Sequence, residues 1–209
     1  MADYLIPTIN DHRFIDKRIR GEDSTTINLG KTGNKSPELQ EYIARLKRKK
    51  IKFNKVGAIV MNCNPFTKGH YYLIETAAKS VEKLWVFVVE EDKSLFPFED
   101  RIRLVREGTK RLNNVYVVPS GQYILSQNTF KEYFTKDDVS GQQNVIDPSE
   151  ALRLFGEFIV PALGIDERFV GEEPLDYVTS VYNTYMQELL PKYGCRVTVV
   201  PRKKTVTKL

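Results

Sequence analysis

Residues 56–70 read Val56-Gly57-Ala58-Ile59-Val60-Met61-Asn62-Cys63-Asn64-Pro65-Phe66-Thr67-Lys68-Gly69-His70. The near-continuous apolar character of Val56 to Met61 predicts a strand covered on both faces, as in a parallel sheet. The strand passes through a tight turn into a helix marked by Tyr71, Leu73, Ile74, Ala77 and Ala78. A strand, a turn and a helix start leave backbone N–H groups and a positive dipole end where an anion can dock. Gly69 lets the backbone come close to such an anion, His70 in the first turn can donate to a phosphate oxygen, and Thr67 can add a hydroxyl. Neither the Gly-x-Gly-x-x-Gly dinucleotide pattern nor the Gly-Lys-Ser/Thr of a P-loop is present.

Working outward, further strand-like runs fall at Leu84–Val89, Val115–Val118, Arg168–Gly171 and Arg196–Val200, with helical stretches at Lys68–Ser80, Phe98–Leu112, Pro148–Leu163 and Val178–Leu190. Strands alternating with helices predict an α/β fold, a Rossmann-like doubly wound parallel sheet of about five strands. Ligands in such a sheet sit beyond the carboxyl ends of the strands. The long irregular stretch Pro119–Asp147 suggests a lid or a partner-binding insertion.

The first 55 residues differ from the rest. They carry 13 Lys/Arg against 7 Asp/Glu, whereas residues 56–209 carry 19 against 20. Residues 1–37 form a polar extension, 38–55 a basic linker helix and 56–209 the main domain. Ser36-Pro37-Glu38 looks like a cap with proline in the first turn, and Leu39, Tyr42, Ile43 and Leu46 follow at helical spacing. The basic cluster Arg45 to Lys55 lacks interleaved aromatics and reads as a solvated helix end, so a nucleic-acid partner is not expected. Without an apolar stretch of membrane-spanning length, and with an N-terminus unlike a signal peptide, a cytoplasmic chain is expected. Cys63 and Cys195 make neither a disulfide framework nor a zinc set.

The turn resembles the Thr/His-x-Gly-His signature of the nucleotidyltransferase superfamily, with Thr67, Gly69 and His70 in its fixed places. Within that superfamily, Gly57 to His70 looks very like the citrate lyase ligases. The likeness continues through Glu90 to Arg101 and Arg103 to Thr109, then Tyr123 to Ser126 with Thr129-Phe130. Pro161 to Ile165, Arg168 to Pro174, and Val178-Thr179 with Tyr182-Asn183 and Met186 complete it. The candidate catalytic residues are His70, Thr67 and Lys93; the candidate nucleotide-binding residues are Asn64, Pro65, Phe66, Gly69, Arg101, Gly171 and Glu172. No metal ligand is assigned.

Lys93 follows a strand and precedes a helix, so its ammonium can reach a triphosphate or a carboxylate. Arg101 and Arg106 are either inward-pointing or surface cations of the following helix. Gly171 could admit adenine or ribose and Glu172 accept from a ribose hydroxyl, or the turn merely ends a strand. Tyr123 to Phe130 suits a small acyl group or a pantetheine-like arm, or supplies core packing through Ile124 and Leu125. Cys63 lacks an adjacent base and is not expected to be a nucleophile.

The resemblance implies ATP with Mg²⁺, a small carboxylate such as acetate, and an acyl-adenylate passed to a thiol on the citrate lyase acyl carrier protein. Two departures stand out. Residues 1–55 are too few and too polar for the acetyltransferase-like domain usual upstream, and Pro201 to Leu209 lacks the Ile-Ser-x-Ser-x-x-Arg-like phosphate segment. If the protein ends at Leu209, nucleotide binding with weak or no turnover is expected.

Overall fold

The computed structural model describes residues 36–47, 53–90, 94–125 and 148–202, all within a compact unit that begins at Asn34. Strands β1 (Val56–Met61), β2 (Lys83–Val88), β3 (Val115–Pro119), β4 (Glu167–Gly171) and β5 (Arg196–Val200) form one parallel sheet in the order β3-β2-β1-β4-β5. The Rossmann-like expectation holds, and each strand lies within a residue of where its apolar run placed it. The order reverses at β1, whose neighbours are β2 and β4, so the crevice of the switch point opens beside the end of β1.

Alternation along the strands sorts the two faces. Ile59 and Met61, with Leu84, Val86 and Val88, pack under α2 (Lys68–Ala78) and α3 (Phe98–Thr109) through Ile74, Ala77, Ile102 and Val105. Phe87 and Arg168 point the other way. Both meet Phe155, the first edge-on at 6.3 Å between ring centroids and the second with its guanidinium carbon 4.4 Å from the ring centre. Gly57 in β1 is required by packing, because a Cβ there would lie 2.9 Å from the Phe169 ring.

The single helix expected over Pro148–Leu163 is instead three segments: α4 (Ser149–Leu154), a wide π turn (Phe155–Ile159) and α5 (Val160–Leu163). Pro161 has no N–H to give to the regular ladder and its ring crowds the preceding turn, which accounts for the break. After β4 comes α6 (Tyr177–Leu189), capped by the Asp176 carboxylate on the Thr179 N–H at 2.9 Å.

The basic segment contains α1 (Pro37–Leu46), started by Ser36, whose hydroxyl accepts from the Leu39 N–H at 3.2 Å. Its apolar face is buried: Leu39 and Ile43 are almost fully covered, and the Tyr42 hydroxyl donates to the Pro119 carbonyl at the end of β3. Gly121, at φ 60°, turns the chain immediately after β3 and leaves room for the Tyr42 ring.

Candidate functional site

The residues that leave β1 are held by side chains rather than by a repeating ladder. Cys63 sits at φ 55°, in the left-handed region that costs a residue with a side chain about 1–2 kcal/mol. The Asn64–Pro65 peptide bond is cis. On one side of Cys63, Asn62 accepts from Arg101 through both its carbonyl and its side-chain oxygen, each at 2.8 Å, and Ser94 Oγ donates to the same side-chain oxygen at 3.1 Å. On the other side, Asn64 Oδ1 accepts from the Phe96 N–H at 3.0 Å. The loop ahead of α3 therefore fastens the turn ahead of α2, and both lie at the carboxyl edge of the sheet.

Thr67 caps α2 by accepting from the His70 N–H at 3.3 Å, while the His70 ring nitrogen Nδ1 lies 3.0 Å from the Thr67 N–H and 3.0 Å from Thr67 Oγ1. A backbone N–H only donates, so Nδ1 must accept; the imidazole is then neutral, with its proton on Nε2. Burial pushes the His70 pKa below the ordinary histidine value, which favours the same neutral form. Histidine thus takes the place usually filled by Glu or Gln in the reciprocal cap.

The start of α2 is open and uncompensated. Thr67, Lys68 and Gly69 are exposed, and the N–H groups of Lys68 and Gly69 have no hydrogen-bond partner among the described residues. No acidic residue lies in its first turn, whereas α3 carries Glu99 and Asp100 there. A lysine at that position opposes the helix dipole, by about 0.3–1 kcal/mol. Gly69 answers no need of the protein's own packing, because a Cβ there would find nothing nearer than Thr67 Oγ1 at 3.6 Å.

Gly171 ends β4 beside this turn. A Cβ on it would approach only Leu73, one turn beyond His70 on α2, at 3.9 Å. The Gly171 carbonyl accepts from Asn183 of α6 at 3.2 Å. Glu172 is engaged: its carboxylate accepts the Arg202 N–H at 3.2 Å and its carbonyl accepts Arg202 Nε at 3.0 Å. Arg202 also pairs with Glu173 at 2.7 Å, tying the exit of β5 to the exit of β4.

Sequence reading placed Arg101 among the groups facing the nucleotide. The structure instead buries it completely, with its guanidinium donating to Asn62, to the Val89 carbonyl at 2.7 Å and to the Phe96 carbonyl at 3.0 Å. It lies beneath the turn as a fastener. Phe66 is half-buried against the hydrophobic core, with its ring 6.0 Å from the His70 ring at an interplanar angle of 13°. Ile124 and Leu125 are core residues, and Phe98 packs as well. Lys93 and Ser126–Phe130 lie outside the described residues. The fastening roles of Asn62 and Ser94 were missed in the sequence; a polar residue directly after the β1 run and another three residues before Pro97 were the available signal.

Both thiols are buried, and burial lifts Cys63 to about 12 and Cys195 to about 11. Iodoacetamide at pH 8 is therefore expected to leave the native protein unmodified and to label both cysteines once it is unfolded. Rapid native labelling of Cys63 would contradict its placement. Among the described residues no cluster of three or more His, Cys, Asp and Glu could hold a metal ion, and no helix is long and apolar enough to cross a membrane.

The citrate lyase ligase C-terminal domain family matches residues 56–209, the whole of the sheet and its helices. The chain belongs to the citrate lyase ligase family. Curated citrate lyase ligases are similar as well: that of Escherichia coli strain K12 is 43% identical over 157 residues, covering 74% of this chain and 43% of the relative. The Klebsiella pneumoniae ligase is 41% identical over 164 residues, covering 77% and 46%. The chain thus spans about half the length of the citrate lyase ligases it matches or slightly less. A phosphopantetheine adenylyltransferase of Streptococcus sanguinis is 35% identical over 96 residues, covering 45% of this chain and 58% of that protein. Among solved structures, pantoate-beta-alanine ligase from Francisella tularensis superimposes with a TM-score of 0.49 at 12% identity, covering 80% of this chain and 66% of that one.

Proposed function

We propose that this domain of the citrate lyase ligase family binds ATP with the triphosphate at the start of α2 and activates a small carboxylate, acetate, as its adenylate. The acyl group then passes to the thiol of the prosthetic group on the citrate lyase acyl carrier protein. The observation that carries this reading is the exposed, acid-free first turn of α2, whose N–H groups at Lys68 and Gly69 are unpartnered among the described residues. An anion supplies what that helix end lacks.

Thr67 and His70 would meet the phosphates, His70 through its Nε2–H, with Lys93, which follows β2 in the sequence, adding a cation. Asn64, Pro65 and Phe66 shape the turn, and Gly171, with the free oxygen capacity of Glu172, would border the nucleoside. Mg²⁺ would come with the nucleotide and share the charge of its phosphates. A carboxylate oxygen attacks the α-phosphorus and pyrophosphate leaves; the carrier thiolate then attacks the acyl carbon and AMP leaves. Acetate is already ionised at neutral pH, so the first step needs no general base. Positioning and charge neutralisation supply the rate, as in other phosphoryl-group chemistry.

The likeness to a phosphopantetheine adenylyltransferase favours a second reading, adenylyl transfer to a phosphate monoester. Pyrophosphate release from ATP, measured with and without each acceptor, separates them. Release that requires acetate is the expected result; release that requires a phosphate monoester supports the second reading. ATP binding without release under either condition would leave a nucleotide-binding module.

A further inference from the structure

We propose that Gly108 of α3 and Phe66 of the β1–α2 turn are positioning residues for the His70 imidazole, with Phe66 acting as a wedge between the two helices. The proposal rests on the reading that His70 meets the phosphates, but its geometry is independent of it.

Nδ1 of His70 is anchored to Thr67, and one hydrogen-bonded atom leaves the ring free to swing about that contact. The neighbouring flat surface is the Phe66 ring, inclined by only 13° to the imidazole. Phe66 is itself supported from below. A Cβ on Gly108 would overlap its ring, with Cε1 nearest, and Cζ would lie at 3.3 Å. Gly108 is in the last turn of α3, where glycine is a poor helix former compared with alanine. What it provides is the hollow that takes the Phe66 ring. The same helix reaches the turn from beneath at Arg101. Thus α3 sets both the backbone of the turn and the ring that borders His70, and a shift of α3 is passed to Nε2.

Burial lowers the His70 pKa, and the Phe66 ring beside it is part of what keeps water away. Only two histidines occur in the chain, His12 and His70. NMR titration therefore reads His70 directly, with His12→Gln assigning the signals. In Gly108→Ala the new methyl group displaces the Phe66 ring. The expected results are a His70 pKa moved up toward the ordinary value and ATP-dependent pyrophosphate release lowered roughly tenfold to a hundredfold. Phe66→Ala should do the same. Adding Gly108→Ala to Phe66→Ala should then change neither reading further, because the ring that transmits the effect is gone.

An unchanged His70 titration in Gly108→Ala, or an equal effect of that substitution with and without Phe66, overturns the proposal. Phe66→Leu keeps an apolar group but removes the flat face, so the titration decides the matter even if Gly108→Ala fails to fold. Should His70→Gln retain full turnover, the phosphate reading fails, while the titration still decides whether Gly108 and Phe66 place the ring.

Discussion

His70→Ala is expected to lower kcat/KM for ATP by roughly a hundredfold to a thousandfold, the usual consequence of removing one donor aimed at developing phosphate charge. It also removes the acceptor for the Thr67 N–H, so a loss of about 1 kcal/mol and a melting temperature lower by roughly 2–4 °C accompany it. His70→Gln separates the two effects. Glutamine at this position rebuilds the reciprocal cap with Thr67 but has no imidazole. Stability should return in that variant and activity should not. Initial rates of pyrophosphate release together with thermal melts make the comparison. Wild-type kinetics in His70→Ala would remove the phosphate site from the start of α2.

Arg101→Met is expected to act in the opposite order, on stability before kinetics. The arginine is fully buried, and its removal strands the carbonyls of Asn62, Val89 and Phe96 without their donor. The buried Val89 carbonyl left unpaired costs about 1–3 kcal/mol and the part-buried carbonyls of Asn62 and Phe96 less each, so a total of roughly 3–5 kcal/mol is expected, with a melting temperature lower by about 10 °C or more. The turn would suffer most, because Arg101 holds Asn62, the residue next to Cys63 with its left-handed backbone. Urea unfolding measures the effect. A change within about 0.5 kcal/mol, typical of a surface position, combined with a raised KM for ATP, would return Arg101 to the nucleotide-facing role that the sequence suggested.

The two substitutions also mark where sequence reading succeeds and where it stops. The strands were legible because each is a short run bounded by turn residues, near-continuously apolar in β1 and β2, which are buried on both faces, and the helix starts because Ser36 and the Thr67 segment have the chemistry of caps. The helix over Pro148–Leu163 was legible only as a helical region, since the break at the π turn depends on how Pro161 meets its neighbours. Thr67, Gly69 and His70 could be proposed together from the sequence because the groups at one helix end are local: all of them lie within a few residues.

By itself, the sequence determined the alternating strands and helices, the parallel sheet, the capped strand-turn-helix after β1 and the likeness to the citrate lyase ligase family, all of which rest on short-range periodicity and contiguous motifs. Only the tertiary structure decided that Arg101 lies under the turn, that Asn62 and Asn64 are bound to the loop before α3, that Arg202 occupies Glu172, and that Phe66 rests on Gly108. Those pairings span between 30 and 42 positions of chain, from Arg202–Glu172 to Phe66–Gly108. An arginine at a given helical spacing has the same local pattern whether its guanidinium meets solvent, a phosphate or three carbonyls. The packing of α3 against the sheet chooses among them.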